Sequence, residues 1–199
     1  MKKKQKKAAR RLPRLPPWVL PLGAFAVMAV VPWILMSEPA SAPAASGGTA
    51  PTAEQWTPLV SKQHGFQVSL PAPARYLTPP GAGDIDSMWV ATHPGGTFMV
   101  RVTRCPEKLC TQVPDTILES TSKSAREELG GTLSSERRVE VPCPHGTCPG
   151  LEFNATSQQG LRVSARLFVT HDKVFQLLGT QNSDSDELFR KVVDSFSFL

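Results

Sequence analysis

Residues 161–169 read LRVSARLFV, and this stretch decides the fold. Leu161, Val163, Ala165, Leu167 and Val169 alternate with Arg162, Ser164 and Arg166. Successive side chains of a strand point to opposite faces, so this period of two predicts a strand with one apolar and one polar side. Strands of parallel sheets are covered on both faces and read as continuous apolar runs, whereas clean alternation belongs to an antiparallel sheet. His171-Asp172 then turns the chain into a second strand over residues 174–179.

Upstream, the same pattern recurs. Phe66, Val68 and Leu70 alternate with Gln67 and Ser69 until Pro71 and Pro73 stop the ladder, since proline cannot donate to it. Residues 88–93 and 97–103 flank His93-Pro94-Gly95-Gly96, a turn signal, and predict a hairpin. Residues 133–141 and 150–157 predict a third pair. Two helices break this pattern. Leu188, Phe189, Val192, Val193 and Phe196 form one helical stripe, with Asp184 and Glu187 at capping-box spacing. The other runs from about Pro114 to Leu129, ends at Gly130-Gly131, and offers Ile117, Leu118, Thr121, Ala125 and Leu129 for burial. The expected class is α+β: an antiparallel β-sheet flanked by two main helices, in a domain over residues 56–199.

Before that domain the composition changes three times. Residues 1–16 hold eight Lys and Arg and no acid, leaving fourteen basic against seventeen acidic residues in the rest, so the net +5 of the chain comes from its tail. A nucleic-acid role needs a basic face on the domain itself, and none is expected. Residues 17–36 follow as an expected transmembrane helix. Trp18 to Met36 carry no charge, and as a helix they reach about 28 Å, close to the hydrocarbon thickness of a bilayer. The basic tail places the N-terminus in the cytoplasm and the domain outside, as a single-pass inner-membrane protein. The alternative is secretion after signal cleavage, with Ala42-Pro43-Ala44 as the cleavage site. Residues 37–55, SEPASAPAASGGTAPTAEQ, contain no large apolar side chain and predict a disordered linker.

The opening HGFQVSLPAP (64–73), the long helix near the middle, the run LRVSARLFVTHDKVFQLLGT (161–180) and the closing VVDSFSFL (192–199) together resemble the PsbP-like superfamily. The resemblance spans the whole domain and is one of pattern and topology. It implies an antiparallel sheet flanked by helices, used mostly for protein binding, and it brings no catalytic motif. The cysteines are not part of that general pattern.

Those four cysteines form two matched pairs, Cys105-Pro-Glu-Lys-Leu-Cys110 and Cys143-Pro-His-Gly-Thr-Cys148. An even number in an exported domain favours disulfides, and the local pairings Cys105 with Cys110 and Cys143 with Cys148 are preferred. Cys143 and Cys148 flank a predicted turn, which brings them toward bonding distance. A four-thiolate zinc site and a redox role are the alternatives, although neither pair is a Cys-x-x-Cys motif.

No Gly-x-Ser-x-Gly elbow, His-Glu-x-x-His, phosphate loop or dinucleotide fingerprint occurs. His93, His145 and His171 fall in predicted turns and read as solvated side chains; Glu127, Glu128 and Glu136 read as surface charges. Arg162 and Arg166 share the polar side of their strand and could mark an anion-binding or partner-binding face, although an exposed sheet face accounts for them equally. Asn154-Ala155-Thr156 matches a glycosylation acceptor. No catalytic residue, metal or cofactor is assigned. The expected function is a non-enzymatic binding module for a membrane-proximal protein or ligand, with an envelope hydrolase or thiol-redox enzyme as the alternative.

Overall fold

The computed structural model describes residues 55–78, 86–105, 109–129, 132–157, 160–181 and 186–199. In chain order these form β1 (Trp56–Ser61), β2 (Phe66–Pro71), β3 (Arg75–Leu77), β4 (Asp86–His93), β5 (Gly96–Arg104), a single helical turn α1 (Leu109–Gln112), α2 (Pro114–Leu129), β6 (Thr132–Cys143), β7 (Gly146–Thr156), β8 (Arg162–Val169), β9 (Lys173–Gln181), α3 (Glu187–Ser195) and β10 (Ser197–Phe198). Seven strands build one sheet in the order β3-β4-β5-β9-β8-β7-β6, with every neighbouring pair antiparallel. A second, three-stranded sheet has the order β1-β2-β10.

This corrects the expected fold class. The domain is mostly β, in two sheets, rather than one sheet flanked by two main helices. What covers the large sheet opposite α2 is a composite of α3 and the small sheet, because the closing residues after α3 turn extended at Phe196 and return as β10 to pair with Phe66 and Gln67 of β2. β1 carries Pro58, which an edge position tolerates because its missing N–H need not join a ladder. The expected transmembrane helix at residues 17–36 and the linker at 37–55 lie outside the described residues, apart from Gln55, whose carbonyl accepts from Ala72 N at 2.9 Å. Among the described residues no helix is long and apolar enough to cross a membrane.

β8 shows why two layers form. Val163, Ala165, Leu167 and Val169 face α2 and join a core with Leu118, Leu151 and Phe153. The opposite face does not stay polar to its end: Phe168 enters a second core with Phe66, Phe175, Phe189, Val192 and Phe196. Phe66 and Phe168 each stack on Phe196, with ring centroids 5.7 and 5.3 Å away, so the small sheet and the end of α3 are tied to the large sheet through aromatic rings. α3 lies close on β9 because residue 179 is glycine; a Cβ there would come within 2.8 Å of the Phe189 ring.

Of the candidate α2 residues, Leu118 and Thr121 are buried and Ile117 is half-buried. Asp184 of the expected capping box lies outside the described residues; Asp186 holds the N-cap position and makes no side-chain bond to the helix. Its carboxylate instead accepts from Arg162 Nη2 at 3.0 Å and Ser164 Oγ at 3.2 Å, which anchors the start of α3 to β8.

Candidate functional site

The β5–β9 pairing runs from Gly96 opposite Gln181 to Arg104 opposite Lys173, and these pairs define two ends of the large sheet. The chain enters at the first end, where Trp56 lies beside His93 and Phe98. At the other end several turns converge around a groove of about 870 Å³.

Each wall of this groove is held by local chemistry. The β6–β7 turn at Pro144 and His145 is stapled by a disulfide between Cys143 and Cys148, whose Cα atoms are 5.9 Å apart. A second disulfide joins Cys105, at the end of β5, to Cys110 of α1, with Cα atoms 5.8 Å apart, and presents Cys110 to the groove. Cys105 N donates to the Asp172 carbonyl at 2.8 Å, fixing the β8–β9 turn, and Thr170 Oγ1 closes the same turn on the Lys173 backbone. The β1–β2 turn brings His64 and Gly65, with Gly65 at φ +72°, a left-handed conformation that favours glycine. Phe175, Phe198 and Val169 add an apolar surface.

All four cysteines are therefore disulfide-bonded, which leaves no thiolate to ligate zinc in this state. Two disulfides point to an oxidising, extracytoplasmic compartment. Of the candidate histidines, His145 and His171 sit exposed in turns at the groove. His93 is at the far end, half-buried, where its Nδ1 accepts from Gly95 N at 3.0 Å. Among the described residues no group of three or more His, Cys, Asp and Glu could hold a metal ion.

Arg162 and Arg166 do not form an open anion-binding face, because each meets a carboxylate. Arg162 binds Asp186, and Arg166 donates through Nε to Glu152 at 2.7 Å and through Nη2 to the same oxygen. Arg137 closes on the other Glu152 oxygen at 2.8 Å. Burial alone would raise the Glu152 pKa; the hydrogen bonds and charges of Arg166 and Arg137 override it and lower the pKa below the ordinary value. Glu136 accepts from Ser122 Oγ at 2.9 Å, and Glu127 pairs on the surface with Lys123. The side chain of Glu128 lies outside the described residues. The Asn154 amide donates to Ser135 Oγ at 3.1 Å.

One groove residue carried no signal in the sequence. His64 is only 7 % exposed, its Nδ1 is buried without a hydrogen-bond partner, and its ring sits edge-on to Trp89 at 5.7 Å. Burial lowers its pKa, and the charges of Lys173 and Arg104 lower it further, so the imidazole is held neutral. Those two cations lie directly opposite each other in the β5–β9 register. No periodicity reveals this, because it requires knowing which strands pair.

With the geometry in place, comparison with known proteins identifies the class of fold. No protein-family model matches the chain, and no curated protein does. The solution structure of cyanobacterial PsbP (CyanoP) from Synechocystis sp. PCC 6803 is similar with a TM-score of 0.50 at 15 % identity, covering 79 % of this chain and 100 % of that one. A protein of unknown function from Pseudomonas aeruginosa, PA94, reaches 0.40 at 12 % identity over 70 % of this chain and 94 % of its own. A Bacteroides thetaiotaomicron VPI-5482 protein reaches 0.37 at 11 % identity, covering 71 % and 48 %. The likeness to CyanoP makes the fold PsbP-like; at this identity it carries the fold alone.

Proposed function

We propose that the chain is a non-enzymatic binding module of the cell envelope, tethered to the inner membrane through residues 1–36, and that the groove at the far end of its sheet receives a protein partner. The observation that supports this reading is the groove itself. Two of its walls are braced by disulfides, and a surface fixed before binding loses less conformational entropy when a partner docks. The tether suits the same role. As the coil that their composition predicts, the 19 linker residues would have a root-mean-square reach of about 24 Å, and the nine-residue strand β5 adds about 27 Å between the entry end and the groove end. Such a tether would place the groove on average roughly 50 Å from the bilayer, which would raise its effective concentration for partners at that surface.

Photocrosslinking in intact cells tests this. A photoreactive residue replacing Thr147, in the groove, should give a discrete and saturable adduct, while one replacing Lys123, exposed on α2, should give none. Equal labelling from both positions would remove the groove from the reading. Reproducible turnover by the purified chain in hydrolase or thiol-oxidoreductase screens, lost on one substitution with the fold intact, would replace it with an enzyme.

A further inference from the structure

The mouth of the groove, lined by Lys173 and flanked by Arg104 on the paired strand, carries an unbalanced arrangement of charge. Arg104 and Lys173 are directly opposed across the antiparallel β5–β9 ladder, so their side chains leave the same face with Cβ atoms roughly 5 Å apart. Like charges in that relation are destabilising. Neither is well neutralised. Lys173 Nζ lies 3.5 Å from Asp172, whose side chain is 58 % exposed, and Arg104 makes no ion pair among the described residues. Beside them the His64 ring, almost fully buried, leaves Nδ1 without a partner and adds no negative charge. Lys173 and a neutral imidazole line the groove, with Arg104 flanking it on the paired strand, and the other lining includes Asp172, Phe175, Phe198 and Pro149.

We propose that this mouth binds the carboxylate of an acidic side chain, carried by an extended segment of a partner protein. The proposal rests on the reading of the groove as a protein-binding site and adds the chemistry of what it takes. A guanidinium presents a planar fork that matches a carboxylate, and the Lys173 ammonium adds a second, mobile donor. An anion between them relieves the repulsion that the fold otherwise carries. The apolar lining then accommodates the neighbours of the acidic residue, as a lone inorganic anion would not require. Lipid headgroups are the other source of such anions, and position disfavours them: the chain enters at Trp56, on the end of the sheet away from this mouth.

The test uses the full-length chain in phosphatidylcholine nanodiscs and a short fluorescein-labelled peptide alternating Glu with Val, read by fluorescence anisotropy. The Glu peptide should bind, weakening as salt is raised, and its Gln counterpart should bind about tenfold less tightly or worse. Arg104→Glu with Lys173→Glu should abolish the preference, the milder Lys173→Gln should reduce it, and Lys123→Glu on α2 should leave it unchanged. Near-UV circular dichroism identifies any variant that fails to fold. Equal binding of Glu and Gln peptides, or an unchanged preference in the folded double variant, would overturn the proposal. Displacement of the peptide by free acetate at equal carboxylate concentration would reduce the site to a simple anion site, and displacement by phosphatidylglycerol vesicles alone would assign it to lipid; either result overturns it. The two readings fail separately. A Thr147 adduct that persists in the folded double variant leaves the groove a partner site and removes its acidic specificity, whereas absence of any adduct removes the groove itself.

Discussion

The carboxylate of Asp186, at the N-cap of α3, accepts from Arg162 of β8 at 3.0 Å and makes no capping bond to its own helix. Ser164, fully buried on the same strand, donates to the other oxygen. The helix start is therefore positioned by the sheet. Both ionic partners are partly buried, so the pair is screened less than a surface bridge. Asp186→Asn should destabilise the domain by about 1–2 kcal/mol. A double-mutant cycle with Arg162→Gln, read by urea melts, should show clear non-additivity. Additive losses would mean that the two side chains do not act together.

α3 also depends on Gly179. A methyl group there would stand 2.8 Å from Phe189 Cδ2 and 3.3 Å from the Phe98 ring, both buried in one core. Gly179→Ala should therefore cost about 1–3 kcal/mol through overpacking. Leu167→Ala, on the opposite face of the sheet, should cost about 2–5 kcal/mol through an empty space under α2. These sites lie in separate cores, so their effects should add; a sum far from the double variant's urea midpoint would mean that the two layers are coupled.

How much of this fold is legible beforehand depends on burial pattern. β8, the β4–β5 hairpin and α2 form where alternation or a helical stripe announces them, because one face of each is apolar over several residues. β1 and β10 escape notice for opposite reasons: β1 is interrupted by Pro58, and β10 has two residues, too few for any period. Missing them hides the second sheet, and with it the correct class. The polar side of β8 is misleading in another way. Arg162 and Arg166 look like a solvent-facing row, yet their partners Asp186 and Glu152 come from other elements. The groove is least legible of all, because His64 belongs to a turn and the opposition of Arg104 and Lys173 exists only in the β5–β9 register.

The Cys143–Cys148 bond staples the β6–β7 turn at the groove, with a sequence separation of 5 between its ends. Closing so short a loop in the unfolded chain is worth about 2 kcal/mol on the entropy model. Replacing both cysteines by serine should lower stability by that order and weaken the Thr147 adduct by loosening the wall. An unchanged melting temperature together with an undiminished adduct would remove any role for this disulfide.

Glu152 predicts one acid-dependent contribution to stability. Its pKa is lowered in the folded protein because hydrogen bonds from Arg166 and Arg137 and their charges outweigh the opposing effect of burial. The unfolded chain therefore takes up the proton first as the pH falls. The stabilisation is complete above the ordinary value of 4.5 and disappears as the pH drops through the folded value. Glu152→Gln should be less stable than the parent at neutral pH and should flatten the stability curve below that point. Parallel curves for the two proteins in urea melts across the acid range would show that Glu152 does not contribute.

His64 titrates in a higher window, and its linkage reports on the groove. Burial lowers its pKa from the ordinary value of 6.5, with Lys173 and Arg104 contributing, so the folded state resists the proton that the unfolded state accepts. The resulting stability is present above 6.5 and is lost as the pH falls through the folded value. The imidazole resonances of His64 should accordingly move at a pH below 6.5 in an NMR titration of the full-length chain. A carboxylate bound between Arg104 and Lys173 offsets their charge and should shift that midpoint upward, whereas burial against Trp89 stays the same. The Glu peptide should therefore raise the His64 midpoint while the Gln peptide leaves it in place. Lys173→Gln should raise it without any peptide, by removing one of the two opposing charges. A midpoint at or above 6.5 in the free protein would contradict the buried, cation-flanked placement of His64. A midpoint indifferent to both the Glu peptide and Lys173→Gln would separate this histidine electrostatically from the mouth of the groove.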